Sequence, residues 1–268
     1  MKILITLTLA GGLFLTGCHD MISHHDDGPP APPTGLRTQT GDNFIEIFWD
    51  ENRESDVEGY NVFVSTSYSG RYELIGSTRT THFVDAEAAN GQKYYYAVTA
   101  FDYEGYESEL SKDVAYDIPR PEGYSVTITD YRTAPVTGGY DFSQYAVVPY
   151  DDQYSDIYFE NYGGALYMDV RTDSDIQDIG PTESLLDVNE APASGWSTSH
   201  DVILQPGHTY VVWTWDDHYA KFRVTSLSSG RVVFDWAYQL IKSNPLLKRA
   251  PGTAASRPPL AARMTGSL

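Results

Sequence analysis

The chain has 268 residues, enough for one large domain or two of ordinary size, since most domains contain roughly 100–150 residues. Its 37 acidic and 18 basic residues give a net charge of −19, which repels phosphate backbones and argues against a nucleic acid partner. Aromatic residues make up 13% of the sequence and include 21 tyrosines, enough for a folded, β-rich core. A single cysteine excludes an intramolecular disulfide and a cysteine-based zinc site.

The first eighteen residues have the pattern of a secretory signal. Lys2 supplies a positive charge, residues 3–15 are almost wholly apolar or small, and Leu-Thr-Gly-Cys occupies 15–18. The apolar run is shorter than the roughly 20 residues that a membrane-spanning helix needs. The sequence therefore predicts a signal peptide over 1–17 and no transmembrane helix.

The motif at 15–18 resembles the bacterial lipobox. In that family the cysteine is acylated and the signal peptide is cut off before it, so the resemblance implies a lipid anchor at Cys18. Several acyl chains hold a protein firmly, since each buried methylene contributes about 0.8 kcal/mol. The residue after the cysteine is His19, not the aspartate that the family links to inner-membrane retention. The predicted location is the bacterial cell envelope, at the outer membrane, on its periplasmic or surface face.

Two segments are predicted to lie outside the folded domains. Residues 18–33 carry the lipidated cysteine and end in a proline-dense stretch, which favours an extended tether. The run His-His-Asp-Asp at 24–27 could hold a divalent ion loosely, but a solvated spacer explains it and no metal site is assigned. Residues 244–268 contain four basic and no acidic residues and little core-forming sequence, so a disordered basic tail is predicted there.

In residues 34–118, short apolar runs alternate with turn signals that recur about every 8–12 residues. This spacing is typical of an antiparallel sandwich. Trp49, the run Gly-Tyr-Asn-Val at 59–62 and the run Asn-Gly-Gln-Lys-Tyr ending at Tyr94 resemble the markers of a fibronectin type III domain. The resemblance implies that Trp49 is the core tryptophan and that the Tyr94 hydroxyl bonds back to the chain upstream, as a tyrosine corner. Both are structural roles, and the fold alone does not choose between a spacer and a binding surface.

Residues 119–243 form a second predicted antiparallel β domain, whose last third reads as a three-strand meander over 208–238. That stretch resembles the end of the HmuY-like haem-binding lipoproteins, a family in which two histidines hold the haem iron. Spacing along a predicted hairpin that turns at 206–207 leaves His200 and His218 as the only histidine pair of this domain close enough to consider. They are therefore candidate ligand-binding residues.

Aromatic residues of the second domain could form a sugar-stacking or protein-binding face. At least half of them are expected to be core. Trp213 and Trp215 share one face of a predicted strand whose other face is also apolar, so both are predicted to be buried. The residues considered for this face are the tyrosines of 140–167 with Trp196, Trp213, Trp215 and Trp236.

The sequence has no Gly-x-Ser-x-Gly, no His-Glu-x-x-His, no phosphate-binding loop and, within the predicted domains, no cysteine that could form a catalytic pair with a histidine. The predicted fold is all-β, a fibronectin type III sandwich followed by a second antiparallel β domain. The predicted function is a non-catalytic, lipid-anchored envelope protein with a binding or scaffolding role and no cofactor. Its predicted partners are the membrane, through Cys18, and a protein or polysaccharide. Two alternatives stay open, a haem or small-ligand carrier of the HmuY-like kind and a carbohydrate-binding or carbohydrate-active protein.

Overall fold

The computed structural model describes residues 28–113 and 115–247. The predicted signal peptide, Cys18 and most of the tether lie outside the described residues, as do residues 248–268. Within the described ranges, no helix is long and apolar enough to cross a membrane.

Seven strands build the first unit of the chain. They pair as a three-stranded sheet and a four-stranded sheet, both antiparallel. The strands are β1 (Arg37–Thr40), β2 (Ile45–Phe48), β3 (Val57–Ser65), β4 (Glu73–Thr78), β5 (His82–Asp85), β6 (Tyr94–Asp102) and β7 (Ala115–Asp117). The first sheet has the order β1-β2-β5 and the second the order β4-β3-β6-β7.

The core of this first sandwich follows from the period-two alternation of its strands. In β2, Ile45 and Ile47 are fully buried, while the alternate residues Glu46 and Phe48 face outward. Tyr60 and Val62 of β3 meet them from the opposite sheet. Apolar burial on both inner faces is what holds two such sheets together.

Ten strands build the second unit, together with two 3-10 turns at Pro135–Thr137 and Leu185–Asp187. The strands are β8 (Glu122–Thr129), β9 (Gly139–Asp141), β10 (Ala146–Val148), β11 (Ile157–Tyr162), β12 (Ala165–Asp169), β13 (Asp175–Pro181), β14 (Asp201–Ile203), β15 (His208–Trp213), β16 (Tyr219–Ser228) and β17 (Arg231–Gln239). The third sheet has the order β10-β9-β11-β12-β14 and the fourth the order β13-β15-β16-β17-β8. Their inner faces share one core, to which Phe159 and Met168 contribute from the third sheet and Tyr210, Phe222 and Phe234 from the fourth.

The outer face of the fourth sheet is covered by the chain itself. The buried Lys221 of β16 donates hydrogen bonds to the carbonyl oxygens of Leu185 and Val188, at 2.7 and 2.9 Å. Leu247 is fully buried in a small apolar cluster over the same face. The packed part of the chain therefore extends to Leu247, past the predicted boundary at residue 243. The outer face of the third sheet is open, and Tyr162 of β11 is 63% exposed there.

The prediction of a hairpin that turns at residues 206–207 is wrong, because the strands before and after that turn do not pair with each other. Strand β14 pairs with β12 in the third sheet, with Val202 opposite Met168. The position beside β15 is taken by β13, which places Asp175 opposite Trp213. Since Leu204 is buried in the shared core, the chain leaves the third sheet there and crosses to the fourth before β15 begins. His200 therefore does not lie opposite Trp213, the position from which it was predicted to be close to His218.

Residues 119–121 join the two sandwiches. The backbone amide of Arg120 donates to the carbonyl of Gly41 in the first sandwich at 3.2 Å, and Pro121 accepts from the amide of Tyr238 in the second at 3.0 Å. The linker is thus hydrogen-bonded to both units. The prediction of an all-β chain with antiparallel sheets is confirmed.

Candidate functional site

Five tyrosines gather on the open outer face of the third sheet. Strand β11 alternates a buried Phe159 with outward side chains at 158, 160 and 162, and β12 places its outward residues 165, 167 and 169 opposite these three. The turn after β8 and the loop before β11 add one tyrosine each. We call this surface the tyrosine face and define it by Tyr131, Tyr150, Tyr158, Tyr162, Tyr167, Glu160 and Asp169.

Three of these rings pack on one another. Tyr131 and Tyr150 stack with their centroids 4.3 Å apart and their planes at 17°. Tyr158 meets both rings edge-on, at 5.7 and 6.1 Å. Mutual contact limits the rotamers that each ring can take, so the surface is organised before any ligand arrives.

Glu160 is held at the centre of the face by two donors. The Tyr131 hydroxyl donates to Oε1 of Glu160 at 2.8 Å, and Nε of Arg132 donates to the same oxygen at 2.7 Å. The guanidinium of Arg132 also lies over the ring of Tyr162, 4.9 Å from its centroid. Burial, followed by the hydrogen bond and charge of Glu160, raises the pKa of Tyr131 to about 12, so its hydroxyl keeps its proton at neutral pH.

Asp169 is the least satisfied group of the tyrosine face. It lies between Tyr158 of β11 and Asp201 of β14 in the sheet register. Its Oδ2 is shielded from solvent and has no hydrogen-bond partner within the described ranges. Burial, then the charges of Glu160 and Asp201, raises the pKa of the Asp169 carboxyl to about 7, and Arg132 opposes the shift. A buried acceptor without a donor is costly, and a ligand that supplies a donor removes that cost.

The tyrosine face can therefore bind a molecule that offers both apolar surface and hydroxyl donors. The rings supply flat apolar area, and the carboxyl groups of Glu160 and Asp169 supply acceptors on the same face of the sheet. In the part of the chain that the structure describes, no group of three or more histidine, cysteine, aspartate or glutamate side chains is placed to hold a metal ion.

The predicted structural residues lie in the first sandwich. Trp49 is buried, and its ring meets that of Tyr60 edge-on with centroids 5.3 Å apart. The Tyr94 hydroxyl accepts a hydrogen bond at 3.1 Å from the amide of Ala89, upstream in the chain. Cys18, the predicted lipidation site, lies outside the described residues.

The two candidate histidines are half-buried and lie on different sheets. His200 immediately precedes β14 of the third sheet, and its Nδ1 donates to the carbonyl of Ser174 at 2.8 Å. His218 precedes β16 of the fourth sheet, and its Nδ1 donates to the carbonyl of Gln239 at 2.9 Å. A carbonyl can only accept, so both rings carry their proton on Nδ1 when neutral. Ligand binding by this pair stays a prediction.

The tryptophans divide differently from the prediction. Trp213 and Trp215 are 36% and 44% exposed, so the prediction that both are buried is wrong. Strand β15 ends at Trp213, and the segment that covers the outer face of the fourth sheet leaves this end partly open. Trp236 is buried in the core, so it belongs to the aromatic residues that were expected to be core and not to a binding face.

Sequence reasoning included some tyrosines of this face but not Tyr131, Glu160 or Asp169. The signal was present in the alternation, because Tyr-x-Glu-x-Tyr at 158–162 puts three side chains on one face of a strand. Asp169 follows Tyr167 at the same spacing in the next strand. What the pattern did not contain was which face of the sheet is open.

No family model matches the sequence. A segment of the chain is similar to two amylopullulanases. It is 35% identical over 105 residues to the enzyme of Thermoanaerobacter thermohydrosulfuricus and 38% identical over 97 residues to that of Thermoanaerobacterium saccharolyticum. These alignments cover 39% and 34% of this chain but only 7% of each enzyme. The chain thus spans less than a tenth of the length of these curated relatives.

Among solved structures, the chain is similar to an Fn3-like protein from Clostridium thermocellum, at 33% identity over 36% of this chain and all of that chain, with a TM-score of 0.30. It is also similar to a β-1,2-glucanase from Parabacteroides distasonis, at 26% identity over 34% of this chain and 13% of that chain, with a TM-score of 0.31. In this chain, the three-plus-four strand sandwich with its buried Trp49 supports a fibronectin type III domain.

Proposed function

We propose that this chain is a non-catalytic, lipid-anchored protein of the bacterial cell envelope whose tyrosine face binds a neutral polysaccharide. The observation that carries the proposal is the placement of Asp169, a shielded and unpaired acceptor, among tyrosine rings on an open sheet face. A solvated sheet face normally carries polar side chains, so a cluster of aromatic rings there favours a binding role.

Charge and chemistry together favour an uncharged glycan. With a net charge of −19, the protein repels anionic polysaccharides, whereas neutral sugars meet no such barrier. Sugar rings present C–H surface to aromatic side chains and hydroxyl donors to carboxylates. The amylopullulanases act, by name, on pullulan, so an α-glucan such as pullulan is the first ligand to test.

In this proposal, the remaining parts of the chain position the tyrosine face. The lipid anchor at Cys18 holds the protein at the membrane, and residues 19–33 form the tether that separates the folded domains from the anchor. The fibronectin type III domain then spaces the second sandwich from the membrane surface. No catalytic motif is needed for such a role, and the proposal includes none.

Affinity electrophoresis of the full chain through gels containing pullulan tests the binding role. We expect pullulan to retard the native protein, and Tyr158→Ala and Tyr167→Ala to weaken binding by tenfold or more. Tyr103→Ala is the matched control, because Tyr103 is a tyrosine of the first sandwich that is 72% exposed. If all three variants migrate like the native protein over a panel of neutral glycans, the tyrosine face is not a glycan site.

The lipid anchor is tested separately. Cells expressing the native chain and fed a clickable palmitate analogue are expected to label the protein, and the protein should fractionate with the membrane. Cys18→Ser should abolish the label and release the protein into the soluble fraction. A labelled or membrane-bound Cys18→Ser variant would contradict the anchor and would leave the glycan site untouched.

A further inference from the structure

A second aromatic surface lies at the far end of the fourth sheet, separate from the tyrosine face. The ring of Trp213 stacks on that of Tyr219, with centroids 5.4 Å apart. The ring of Trp196 packs on that of Trp213 in a tilted arrangement, with centroids 6.2 Å apart. Trp196 also stacks on Tyr219 at 6.5 Å. We call Trp196, Trp213 and Tyr219 the tryptophan stack. The proposed glycan site uses none of its three rings.

Two carboxylates flank the tryptophan stack. Asp217 accepts a hydrogen bond from Nε1 of Trp213 at 2.9 Å, and Asp175 lies directly opposite Trp213 in the register of β13 and β15. Both carboxylates act on Tyr219, whose pKa is raised by burial first and then by the charges of Asp217 and Asp175. An exposed indole ring beside carboxylates attracts cations, through the ring quadrupole and through ion pairing.

The described chain ends against this surface. Leu247 is fully buried in one cluster with Tyr219 and Trp196, and its amide donates to the carbonyl of Asn189 at 2.9 Å. The basic segment therefore follows a residue that packs against two rings of the tryptophan stack. Because each residue of an extended chain advances at most about 3.6 Å, residues 248 and 249 stay within about 7 Å of Leu247.

The segment that follows carries the complementary charge. Residues 248–268 contain Lys248, Arg249, Arg257 and Arg263 and no acidic residue, whereas the chain as a whole carries a net charge of −19. Two of the four cations thus follow Leu247 directly in the sequence, and Leu247 packs in one cluster with Tyr219 and Trp196. A segment attached beside its binding surface has a high effective concentration there, so weak contacts suffice.

We propose that residues 248–268 bind in cis to the tryptophan stack, with Lys248 or Arg249 over the exposed ring of Trp213 and paired with Asp175 and Asp217. The segment then covers the part of the fourth sheet's outer face that the chain up to Leu247 leaves open. An exposed cation–π contact is weak and ion pairs are screened by salt, so the bound segment is expected to be released at high salt.

Fluorine NMR of the full chain, labelled with 5-fluorotryptophan and held in detergent, tests this proposal. The chain contains five tryptophans, which give five resonances that single Trp→Phe variants assign. We expect Lys248→Ala/Arg249→Ala to shift the Trp213 resonance and to increase its solvent-isotope shift, while the Trp49 and Trp236 resonances stay in place. Raising the salt concentration to about 1 M should shift the native Trp213 resonance in the same direction.

Arg53→Ala/Arg231→Ala is the matched control, because it removes the same charge from two exposed positions on other surfaces and should leave all five resonances unchanged. Identical spectra for native protein and the Lys248→Ala/Arg249→Ala variant would overturn the proposal. A Trp213 shift that depends on protein concentration would place the segment on a second copy and would likewise overturn binding in cis. Pullulan binding is not part of this readout, so the two proposals can fail independently.

Discussion

Nη2 of Arg120 lies 3.6 Å from Oε1 of Glu122 at the junction of the two sandwiches, where the side chains are only 2% and 5% exposed. Neither that nitrogen nor Nε of Arg120 has a hydrogen-bond partner in residues 28–113 and 115–247. Burial lowers the pKa of Arg120, while the nearby charges of Glu122 and Asp117 oppose the shift. A buried ion pair with unsatisfied donors adds little net stability, but it penalises any arrangement that separates its members.

Removing one member of this pair is expected to lower the free energy of unfolding by more than the intact pair contributes to it. Arg120→Met leaves Glu122 as a buried charge without its partner, so we expect the free energy of unfolding to fall by about 3–5 kcal/mol. Urea unfolding followed by tryptophan fluorescence measures the loss. Arg120→Met/Glu122→Gln removes both charges and should recover part of it.

Arg79→Ala is the control for the Arg120 variant. Arg79 pairs with Glu58 at 2.6 Å on the surface of the first sandwich, and an exposed pair contributes about 1 kcal/mol or less. An Arg120→Met variant no less stable than Arg79→Ala would show that the junction does not depend on its charged pair.

Asp156 makes the stability of the second sandwich depend on pH. Its carboxyl group is buried, and one of its oxygens accepts a hydrogen bond from the amide of Phe142 at 2.8 Å. Burial first, and then the charges of Asp141 and Asp216, raises its pKa to about 8, against the Phe142 amide and Arg171. Between the ordinary carboxyl pKa and about pH 8, the folded state therefore holds a proton that the unfolded state has lost.

Because the folded state binds more protons in this range, stability must fall as the pH rises. We expect the melting temperature of the native protein to drop by about 5 °C or more between pH 5.5 and pH 9 in a scanning calorimeter. Asp156→Asn keeps an acceptor for Phe142 and cannot ionise, so its melting temperature should fall less. The exposed Asp151→Asn should follow the native curve. Parallel curves for Asp156→Asn and native protein would assign the dependence to other groups.

Local strand patterns were predictable from the sequence, because period-two alternation is encoded residue by residue. The stretch that contains Phe159, with polar and aromatic residues alternating around it, is strand β11. The neighbours of a strand were not predictable in the same way. Whether β13 or β14 lies beside β15 depends on which apolar residues reach the shared core, and the sequence between Pro206 and His208 resembles a hairpin turn in either case.

The candidate site shows the same limit. The raised pKa of Asp169 depends on Asp201, a neighbour in the third sheet but distant in sequence, and on Arg132, from a loop. The exposure of Trp213 depends on how far residues 182–199 and 244–247 extend over the fourth sheet. Hydrophobic patterns report which faces are apolar, and tertiary packing decides which of those faces is covered.

The haem alternative makes its own prediction. His200 and His218 each donate through Nδ1 to a carbonyl, which is how metal-binding histidines are often held, but they belong to different sheets. Nε2 of His218 also lies 3.8 Å from the Asp216 carboxylate. We expect haemin to produce the same absorption spectrum with native protein and with His200→Ala and His218→Ala. A Soret band that appears with native protein and is lost in both variants would establish haem ligation by this pair.

Asp169 should make polysaccharide binding by the tyrosine face depend on pH, in the opposite direction to the stability of the protein. A sugar hydroxyl donates a stronger hydrogen bond to a carboxylate than to a neutral carboxyl, by about 1 kcal/mol or more. Since the pKa of Asp169 in the free protein is about 7, ionisation of this side chain between pH 6 and pH 8 should strengthen binding. Calorimetric titration with pullulan oligosaccharides is expected to show affinity rising several-fold over that interval.

Asp169→Asn separates this effect from a general loss of charge. The amide cannot ionise, so its affinity should stay level from pH 6 to pH 8 and should lie about tenfold below that of the native protein at pH 8. Asp173→Asn removes one charge from an exposed position outside the tyrosine face and should retain the native pH profile. Equal profiles for native protein and Asp169→Asn would mean that the unpaired oxygen of Asp169 does not face the sugar, even if the tyrosines bind it.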